Sequence, residues 1–400
     1  MKRVMLYCQH LVGMGHLVRS TEIVLRLVSD FEVCFINGGK AVPNFQFPPA
    51  VKIISLPALV ANGPKVEPLD ANQSLEHIQA ERKQQLLEAF EQFSPDCVIT
   101  ECFPFSKLAL KQELKPLLQR AKSAPRPVKV ICSLRDLIMT QPIEHAARER
   151  RVDRICRLVS QYYDAILYHA DESFQRLEDS FPAVGHLDSK VIYTGYVAQQ
   201  PAPTQQPGFT GSLPPLQIPN IVASAGGGKH GYPLLSAILK ASDLLAQVLP
   251  HQIYAFAGPF MPEAEFEQLQ KLSTGKINVI LQRYTPRLID YLQQTDLSIS
   301  LGGYNTTMNL LRTGVRSLVF PSPSPNQTDE QRIRAQGLAR LKVINLLSPA
   351  ELSPLPLVTA IQNSLRQVPA TYNFNLNGAE NTAKQLKALL ETPVAVGNRS

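Results

Sequence analysis

The stretch from Asp296 to Thr313 constrains this chain more than any other. Asp-Leu-Ser-Ile-Ser-Leu (296–301) has the length and apolar content of a parallel strand buried on both faces. Gly302 and Gly303 follow at its carboxyl end, and a helix is expected to start near Asn305. Glycines at that point let the backbone approach an anion closely. The first amides of a helix have no intrahelical partner, and its dipole is positive at that end. A diphosphate can therefore be held there without a metal or a lysine. Asn305 and Thr306 are placed either to cap the helix or to bond the phosphate.

A glycine turn between strand and helix is common in α/β chains, so its neighbours must carry the argument. A second apolar run, Ser317 to Phe320, reads as the next buried strand, and the proline-rich loop Pro321 to Pro325 follows. The helix after it carries Asp329, Glu330 and Gln331 in its first turn. A carboxylate and an amide at a strand's carboxyl end suit the hydroxyls of a ribose, which both donate and accept. The other reading is that Asp329 and Glu330 only complement the helix dipole.

The same alternation runs along the whole chain. Strands are expected near 2–8, 31–36, 51–55, 96–101, 128–133, 164–168 and 190–193, with helical patterns between most of them. Segment 198–218 interrupts with five prolines and no charge, the composition of an interdomain linker. Strands resume near 219–225, 252–257, 277–281, 296–301, 317–320 and 342–345. The expected fold class is α/β, two doubly wound Rossmann-like domains facing across a cleft, with the first over 1–197 and the second over 219–377. At 400 residues with 44% hydrophobic content, each half is large enough for its own core.

No apolar run approaches the roughly 20 residues that span a bilayer. Met1 to Cys8 reads as the first strand rather than a signal peptide. The six cysteines, at 8, 34, 97, 102, 132 and 156, form no CxxC pair, and four of them fall in or at the ends of expected strands. Reduced structural thiols in a cytoplasmic protein are the expectation, not a disulfide framework or a zinc site.

Charge is concentrated. Residues 101–160 hold 13 Lys and Arg against six Asp and Glu, a surplus equal to the net charge of +7 of the whole chain. Lys107, Lys111 and Lys115 recur every four residues beside Leu108, Leu110 and Leu114, the pattern of a basic, partly apolar helix face. Two readings stay open for the 107–157 region, a solvated surface or a peripheral contact with anionic lipid at the inner membrane face. Nucleic acid is not an expected partner, because few aromatics interleave the basic stretch and no zinc-finger, RRM or KH signature is present.

Each half opens with a strand and a glycine turn. Gly13-Met14-Gly15-His16 precedes a helix to about Ser29, and Gly226-Gly227-Gly228-Lys229 follows the strand near Asn220 to Ser224. Neither is a dinucleotide fingerprint: Val18 stands where a third glycine belongs, and Asn37-Gly38-Gly39-Lys40 has no ribose-binding acid. The glycine run before Lys229 also lacks the spacing and the Ser/Thr of a P-loop. His16 falls in the first turn of its helix, where the dipole disfavours the imidazolium, so a neutral ring able to accept a proton is expected. The alternative is that His16 only bonds the loop backbone. Glu101 closes a strand that should lie beside the first, which makes it the first choice to orient His16; Asp136, beside Arg135, is the second. For either acid a structural ion pair competes with the catalytic role.

Taken in order, Gly13-Met-Gly-His-Leu-Val-Arg-Ser, Arg135-Asp136, Tyr193-Thr-Gly-Tyr196, Ser224-Ala-Gly-Gly-Gly, Leu301-Gly-Gly-Tyr-Asn-Thr306 and Glu330-Gln331-x-x-Arg334-Ala335 resemble a bacterial family of glycosyltransferases. That family is similar to the MurG-type N-acetylglucosaminyltransferases and, more distantly, to the UDP-glycosyltransferases. The resemblance covers nearly the whole chain. It implies the GT-B fold, with the acceptor in the first domain, the sugar nucleotide in the second, and a final helix near 378–391, within a 378–400 segment, that packs back on the first domain. It also implies metal-independent transfer with inversion, no cofactor beyond the nucleoside-diphosphate sugar, and a small-molecule or lipid-linked acceptor.

Residue by residue, the resemblance gives His16 the part of the base. Gly303 and Thr306 match the diphosphate turn, Arg283-Tyr284 the loop whose backbone reads the nucleobase, and Gln331 the amide near the donor sugar or ribose. Asn309 departs from the pattern, standing where MurG-like enzymes carry a ribose-binding glutamate; Glu330 is then the candidate to take over that contact. The expected mechanism has His16 deprotonate an acceptor hydroxyl while the turns at 226–228 and 302–306, with Lys229 or Arg283, stabilise the leaving diphosphate. A sugar-nucleotide epimerase of the same fold and a non-catalytic nucleotide-sugar-binding protein remain as alternatives. A nicotinamide-dependent oxidoreductase is disfavoured by Val18 and the missing acid.

Overall fold

The computed structural model describes residues 1–62, 65–140, 143–201, 218–322 and 329–391. The first domain contains β1 (Lys2–Cys8), α1 (Gly15–Leu27), β2 (Phe31–Asn37), β3 (Val51–Ser55), the antiparallel hairpin β4 (Leu59–Asn62) and β5 (Lys65–Pro68), and α2 (Leu75–Phe93). It continues with β6 (Cys97–Glu101), α3 (Lys111–Lys122), β7 (Lys129–Arg135), α4 (His145–Tyr162), β8 (Ala165–His169) and β9 (Lys190–Tyr193). The second domain contains β10 (Asn220–Ser224), α5 (Tyr232–Val248), β11 (Gln252–Phe256), α6 (Glu263–Ser273), β12 (Val279–Gln282), α7 (Leu288–Leu292) and β13 (Leu297–Leu301). After these come α8 (Tyr304–Thr313), β14 (Ser317–Phe320), α9 (Glu330–Arg340), β15 (Asn345–Leu346), α10 (Pro354–Arg366) and α11 (Gly378–Glu391).

Both large sheets are parallel. The first runs β3-β2-β1-β6-β7-β8-β9 and the second β12-β11-β10-β13-β14-β15. In each, strand order reverses next to the first strand of the domain, between β1 and β6 and between β10 and β13. At such a switch point the connections leave in opposite directions and open a crevice beyond the carboxyl ends of the two strands. The loops after β1 and β10, and the ends of β6 and β13, are thereby brought to the cleft.

The layers follow from alternation along doubly buried strands. Met5 and Tyr7 of β1 enter a core shared with Leu86 and Phe90 of α2, Leu117 and Leu118 of α3, and Ile155 and Val159 of α4. Val4, Leu6 and Cys8 point to the other face, where Leu17 and Val24 of α1 meet Ala383 and Leu386 of α11. In the second domain α5, α6 and α10 cover one face through Leu239, Leu269 and Ile361. Met308 of α8 and Leu338 of α9 cover the other and join the first domain's larger cluster.

The last helix returns to the first domain. Asn381 donates to the Thr194 carbonyl at 2.8 Å, the Gly378 amide to the Tyr196 carbonyl at 2.9 Å, and Lys387 pairs with Asp30 at 3.3 Å.

The expected strand near 342–345 is only the two-residue β15, and the β4–β5 hairpin was not expected. Leu-Val-Ala-Asn and Lys-Val-Glu-Pro are too short to show periodicity, and the hairpin lies outside both large sheets. Most of the proline-rich linker at 198–218, the 323–325 part of the loop Pro321 to Pro325, and the tail after 391 lie outside the described residues.

Candidate functional site

His16 and Glu101 meet at the first switch point. The parallel pairing of β1 and β6 carries the end of β6 beside the loop after β1. His16 Nδ1 lies 2.7 Å from Glu101 Oε1, and Nε2 has no hydrogen-bond partner among the described residues. If Nδ1 carries the proton and donates to the carboxylate, Nε2 presents its lone pair to the cleft. Glu101 is fully buried, and it accepts from Arg19 on one oxygen and from Lys107 on the other. Lys107 also donates to the Gln9 carbonyl at 2.5 Å. The Cys102 thiol, pushed up by burial and by Glu101 beside it, donates to Glu101 Oε1 at 2.9 Å.

The protonation states follow from this packing. Burial opposes ionisation of Glu101, yet its contacts with His16, Lys107 and Arg19 hold it well below the usual carboxylate range. Burial pushes the His16 imidazole down to about 3; Lys107 and Arg135 add to this and Glu101 opposes it. The ring is neutral, as the sequence predicts, but desolvation rather than the helix dipole is the leading cause. His16, Glu101 and Cys102 bring ligand-type atoms within 4.8 Å of one another. Their chemistry does not suit a metal ion, since Arg19 and Lys107 already neutralise the carboxylate and would repel a second cation.

Of the two readings open for Asp136 the structure has the ion pair, with its neighbour Arg135 at 3.7 Å and more closely with Arg334. Its carboxylate binds Arg334 of α9 through two contacts, 2.7 Å to Nε and 3.1 Å to Nη2, with both side chains buried. Its neighbour Arg135 pairs with Glu330, one turn before Arg334. Two consecutive residues at the end of β7 thus grip two residues four apart on α9, and both pairs cross between the domains. Asp136 is committed to Arg334 rather than to His16. Glu330 is committed to Arg135, so it does not serve as a ribose-binding carboxylate in place of Asn309.

The second switch point is lined by backbone. Gly226 and Gly228 adopt φ of +58° and +95°. A Cβ on Gly228 would lie 2.6 Å from the Ala257 carbonyl oxygen and 2.8 Å from the Met261 nitrogen, so only glycine lets these loops close. Gly303 is the N-cap of α8 and gives no side-chain cap, which leaves the first-turn amides of that helix without side-chain acceptors. Gln331 reaches this turn, its Oε1 3.6 Å from where a Gly302 Cβ would sit. Thr306 approaches the other turn, with Oγ1 3.9 Å from a Cβ built on Gly226.

The two glycine loops face each other across the cleft. Asn305 Nδ2 donates to the Gly15 carbonyl at 3.0 Å, and a Cβ on Gly227 would lie 3.7 Å from Gly13 Cα. Lys229 stands exposed at the end of its turn. Tyr284 is half-buried and packs against the first domain's core with Phe260.

Three further expectations change. The Arg283 guanidinium bonds Glu263 at 2.5 Å and the Met261 carbonyl at 3.1 Å and covers Phe266, so it is not free to stabilise a leaving phosphate. Asn309 is buried and its Nδ2 donates to Gln199 Oε1 at 2.8 Å, at the start of the linker, while its Oδ1 has no hydrogen-bond partner among the described residues. Lys107 does not extend a basic face with Lys111 and Lys115: it precedes α3 and its side chain is buried on Glu101.

The sequence reading passed over Arg19, Lys107 and Arg334 as individual site residues. Arg19 had a local signal, since it lies three residues after His16 on the same helix and so shares its face. Arg334 stands in the Glu330-Gln331-x-x-Arg334-Ala335 motif but nothing local names its partner, and Lys107 had no such signal, because both partners are set by strand order and domain packing.

Comparison with known proteins bears on the fold and the family. The glycosyltransferase family 28 C-terminal domain matches residues 223–390. An uncharacterised glycosyltransferase of Methanosarcina mazei is 25% identical over 129 residues, 32% of this chain and 32% of that protein. A UDP-N-acetylglucosamine–N-acetylmuramyl-(pentapeptide) pyrophosphoryl-undecaprenol N-acetylglucosamine transferase of Halalkalibacterium halodurans is 24% identical over 200 residues, 49% of this chain and 51% of that protein. The matched region thus spans about a third and about half of the length of these two relatives.

Solved structures extend the likeness over the whole chain at the level of fold. The calicheamicin glycosyltransferase CalG4 superposes with a TM-score of 0.60 at 14% identity, covering 97% of both chains. MurG of Acinetobacter baumannii gives 0.52 at 15% identity, covering 98% of this chain and 99% of that one. The chain thus has the GT-B fold of these proteins over its full length, carries a match to the glycosyltransferase family 28 C-terminal domain in its second half, and is similar to MurG-type glycosyltransferases.

Proposed function

We propose that this chain transfers a hexose or N-acetylhexosamine from a nucleoside-diphosphate sugar, with UDP as the carrier, to a hydroxyl acceptor, without a metal and with inversion. The observation that carries the reading is the His16–Glu101 contact at 2.7 Å, with the free ring nitrogen placed opposite a pair of glycine turns. His16 Nε2 takes the proton of the acceptor hydroxyl as the oxygen attacks the anomeric carbon from the side opposite the leaving nucleoside diphosphate. The anomeric C–O bond to the diphosphate breaks, and the departing charge is met by the amides of Gly226–Gly228 and of the first turn of α8. Glu101 holds the ring through Nδ1 and stabilises the imidazolium that forms.

Neutral His16 is ready to accept, but its burial makes it a weak base. Catalysis is best served by a base whose affinity for the proton matches the working pH. Developing negative charge on the acceptor oxygen beside the ring raises that affinity during the reaction. The donor sugar and diphosphate occupy the space between Gly302, Gln331 and the opposite glycine loop, and Tyr284 with the backbone around it lies toward the nucleobase.

Among the described residues no helix is long and apolar enough to cross a membrane. A cytoplasmic enzyme working on a small-molecule or lipid-linked acceptor is the setting that fits the reading. Any contact with an anionic membrane face would rest on the exposed Lys111 of α3 and Arg150, Arg154 and Arg157 of α4. Lys107, Arg120, Lys122, Arg126, Lys129 and Arg135 are already paired with acids.

The test is a thermal-shift panel with UDP, GDP, dTDP, CMP, ADP and NAD, because a ligand that binds only the native state raises the melting temperature. A shift with UDP and with no other nucleotide is expected. A shift with NAD alone, or with none of the six, would overturn the donor assignment. A product that is only the isomerised sugar nucleotide would replace transfer by epimerisation.

A further inference from the structure

A cavity of about 560 Å³ lies between the domains, beside the second glycine turn, whose Gly302 carbonyl accepts from the lining Arg334 at 3.4 Å, and the transfer mechanism makes no use of it. Ile138 and Met139 after β7 and Phe174 after β8 wall it from the first domain, and Ile333 of α9 walls it from the second. Gly337 of α9 makes room for the Phe174 ring, which would lie 3.0 Å from a Cβ there. The contact chain from His16 to this space runs through Glu101, Arg19, Tyr304 and Arg334: the Arg19 and Arg334 guanidinium carbons lie 5.6 Å and 5.4 Å from the Tyr304 ring centre. The cavity is therefore not the position of the reacting atoms. Its volume falls in the range of small-molecule sites.

Its charge is positive on balance. Arg334 at the wall is neutralised by Asp136, and Asp179, which accepts from the Arg176 amide at 2.8 Å and from Gln175 at 3.1 Å, contributes a single negative charge. Arg148 of α4 and Arg340 of α9, one from each domain, also line the cavity, and neither has an acidic partner among the described residues. Thr140, a further lining residue, keeps a buried Oγ1 with no hydrogen-bond partner among the described residues. Apolar walls favour an apolar body, two unpaired guanidinium groups favour an anion, and a buried hydroxyl lacking a partner is a ready donor to it.

The geometry points to a second ligand site in this cavity, one that takes an amphipathic anion with an apolar body and a single phosphate or carboxylate head. The body lies against Ile138, Met139, Phe174 and Ile333, and the head is held between Arg148 and Arg340. Because its walls come from both domains, an occupant favours the closed arrangement that the Asp136–Arg334 pair already holds.

Calorimetric titration of the full chain with decyl phosphate, decanoate, decanol and decylammonium, all below their micellar concentrations, tests this. At least one of the two anions is expected to bind with one-to-one stoichiometry, at least about tenfold tighter than decanol or decylammonium, since one added charged contact is of that order. Whichever anion binds better identifies the head group. Arg340→Glu, at an exposed helix position, is expected to weaken it at least about tenfold, with Arg340→Lys close to the parent; Arg148→Ala gives the same test from the other domain. Equal affinity for decanol would reduce the cavity to an apolar groove and overturn the proposal. Displacement by excess UDP, unchanged affinity in Arg340→Glu, or no binding by either anion would do the same. None of these outcomes depends on whether the chain transfers a sugar.

Discussion

At the switch point of the first sheet the strand ends carry Glu101 with His16, Arg19 and Lys107 around it. At the switch point of the second sheet they carry Gly226, Gly227, Gly228, Gly302 and Gly303. The architecture is the same and the chemistry opposite. An edge that must move a proton needs a side chain whose charge state is set by neighbours, and those neighbours must in turn be neutralised inside the protein. An edge that must hold a diphosphate needs only oriented amides, and glycine exposes them without burying any charge. The first edge is therefore a network in which every member depends on the others, and the second is a set of backbone conformations that depend on the lack of side chains.

The largest effect expected from that difference is at His16. His16→Ala should lower transfer by about a thousandfold, the middle of the range for a positioned acid or base, and leave nucleotide affinity in calorimetry unchanged. Turnover close to the parent would remove the base from the first edge. Next comes the bond between the edges: Asp136→Asn leaves Arg334 buried without its counter-charge, at a cost of about 3 kcal/mol in denaturant unfolding. Scattering should show a more open particle, and a cost under about 1 kcal/mol would mean that the domains close through their apolar contacts alone.

Gly228→Ala strikes the second edge. The clash with the Ala257 carbonyl should cost about 2 kcal/mol and weaken nucleotide binding, with the His16–Glu101 contact intact by NMR. Lys107→Met acts on the first edge only. Removing that cation should raise the His16 pKa, read from imidazole resonances, and should not touch nucleotide affinity.

The smallest effect at neutral pH is acid sensitivity. Burial holds His10 at about 4 and His16 and His169 at about 3, all in the first domain and all below the unfolded value near 6.5. The unfolded chain then binds protons that the folded domain refuses, so stability contributed by neutral burial is full above about pH 6.5 and is lost as pH falls toward 3 to 4. The first domain should lose protection from hydrogen exchange first as the pH is lowered. The second domain unfolding earlier would contradict the contrast.

Much of the fold was legible because its signals are local. Doubly buried strands such as Cys97–Glu101 and Leu297–Leu301 stand out as short apolar runs, and α11 falls on the range that the resemblance implied. The β4–β5 hairpin was missed because its eight residues are too few for a period to show. At the site, His16 beside Glu101 was legible because a doubly wound order places those two strand ends together. The fates of Asp136, Glu330, Arg283 and Asn309 were not, since each finds a partner that no spacing rule connects to it. Lys107 was misread for the same reason: its four-residue spacing from Lys111 describes a helix face, whereas its own backbone lies at φ +60°, ahead of the helix.

The sequence by itself determined which residues form strands, where the chain turns on glycine and which loops open at the cleft, because those depend on dihedral preference and on apolar pattern over a few residues. Only the tertiary structure decided which charges neutralise which. Asp136 and Arg334 are 198 residues apart, Arg135 and Glu330 are 195 apart, and buried ions take the partners that packing delivers, because an unpaired charge cannot stay inside.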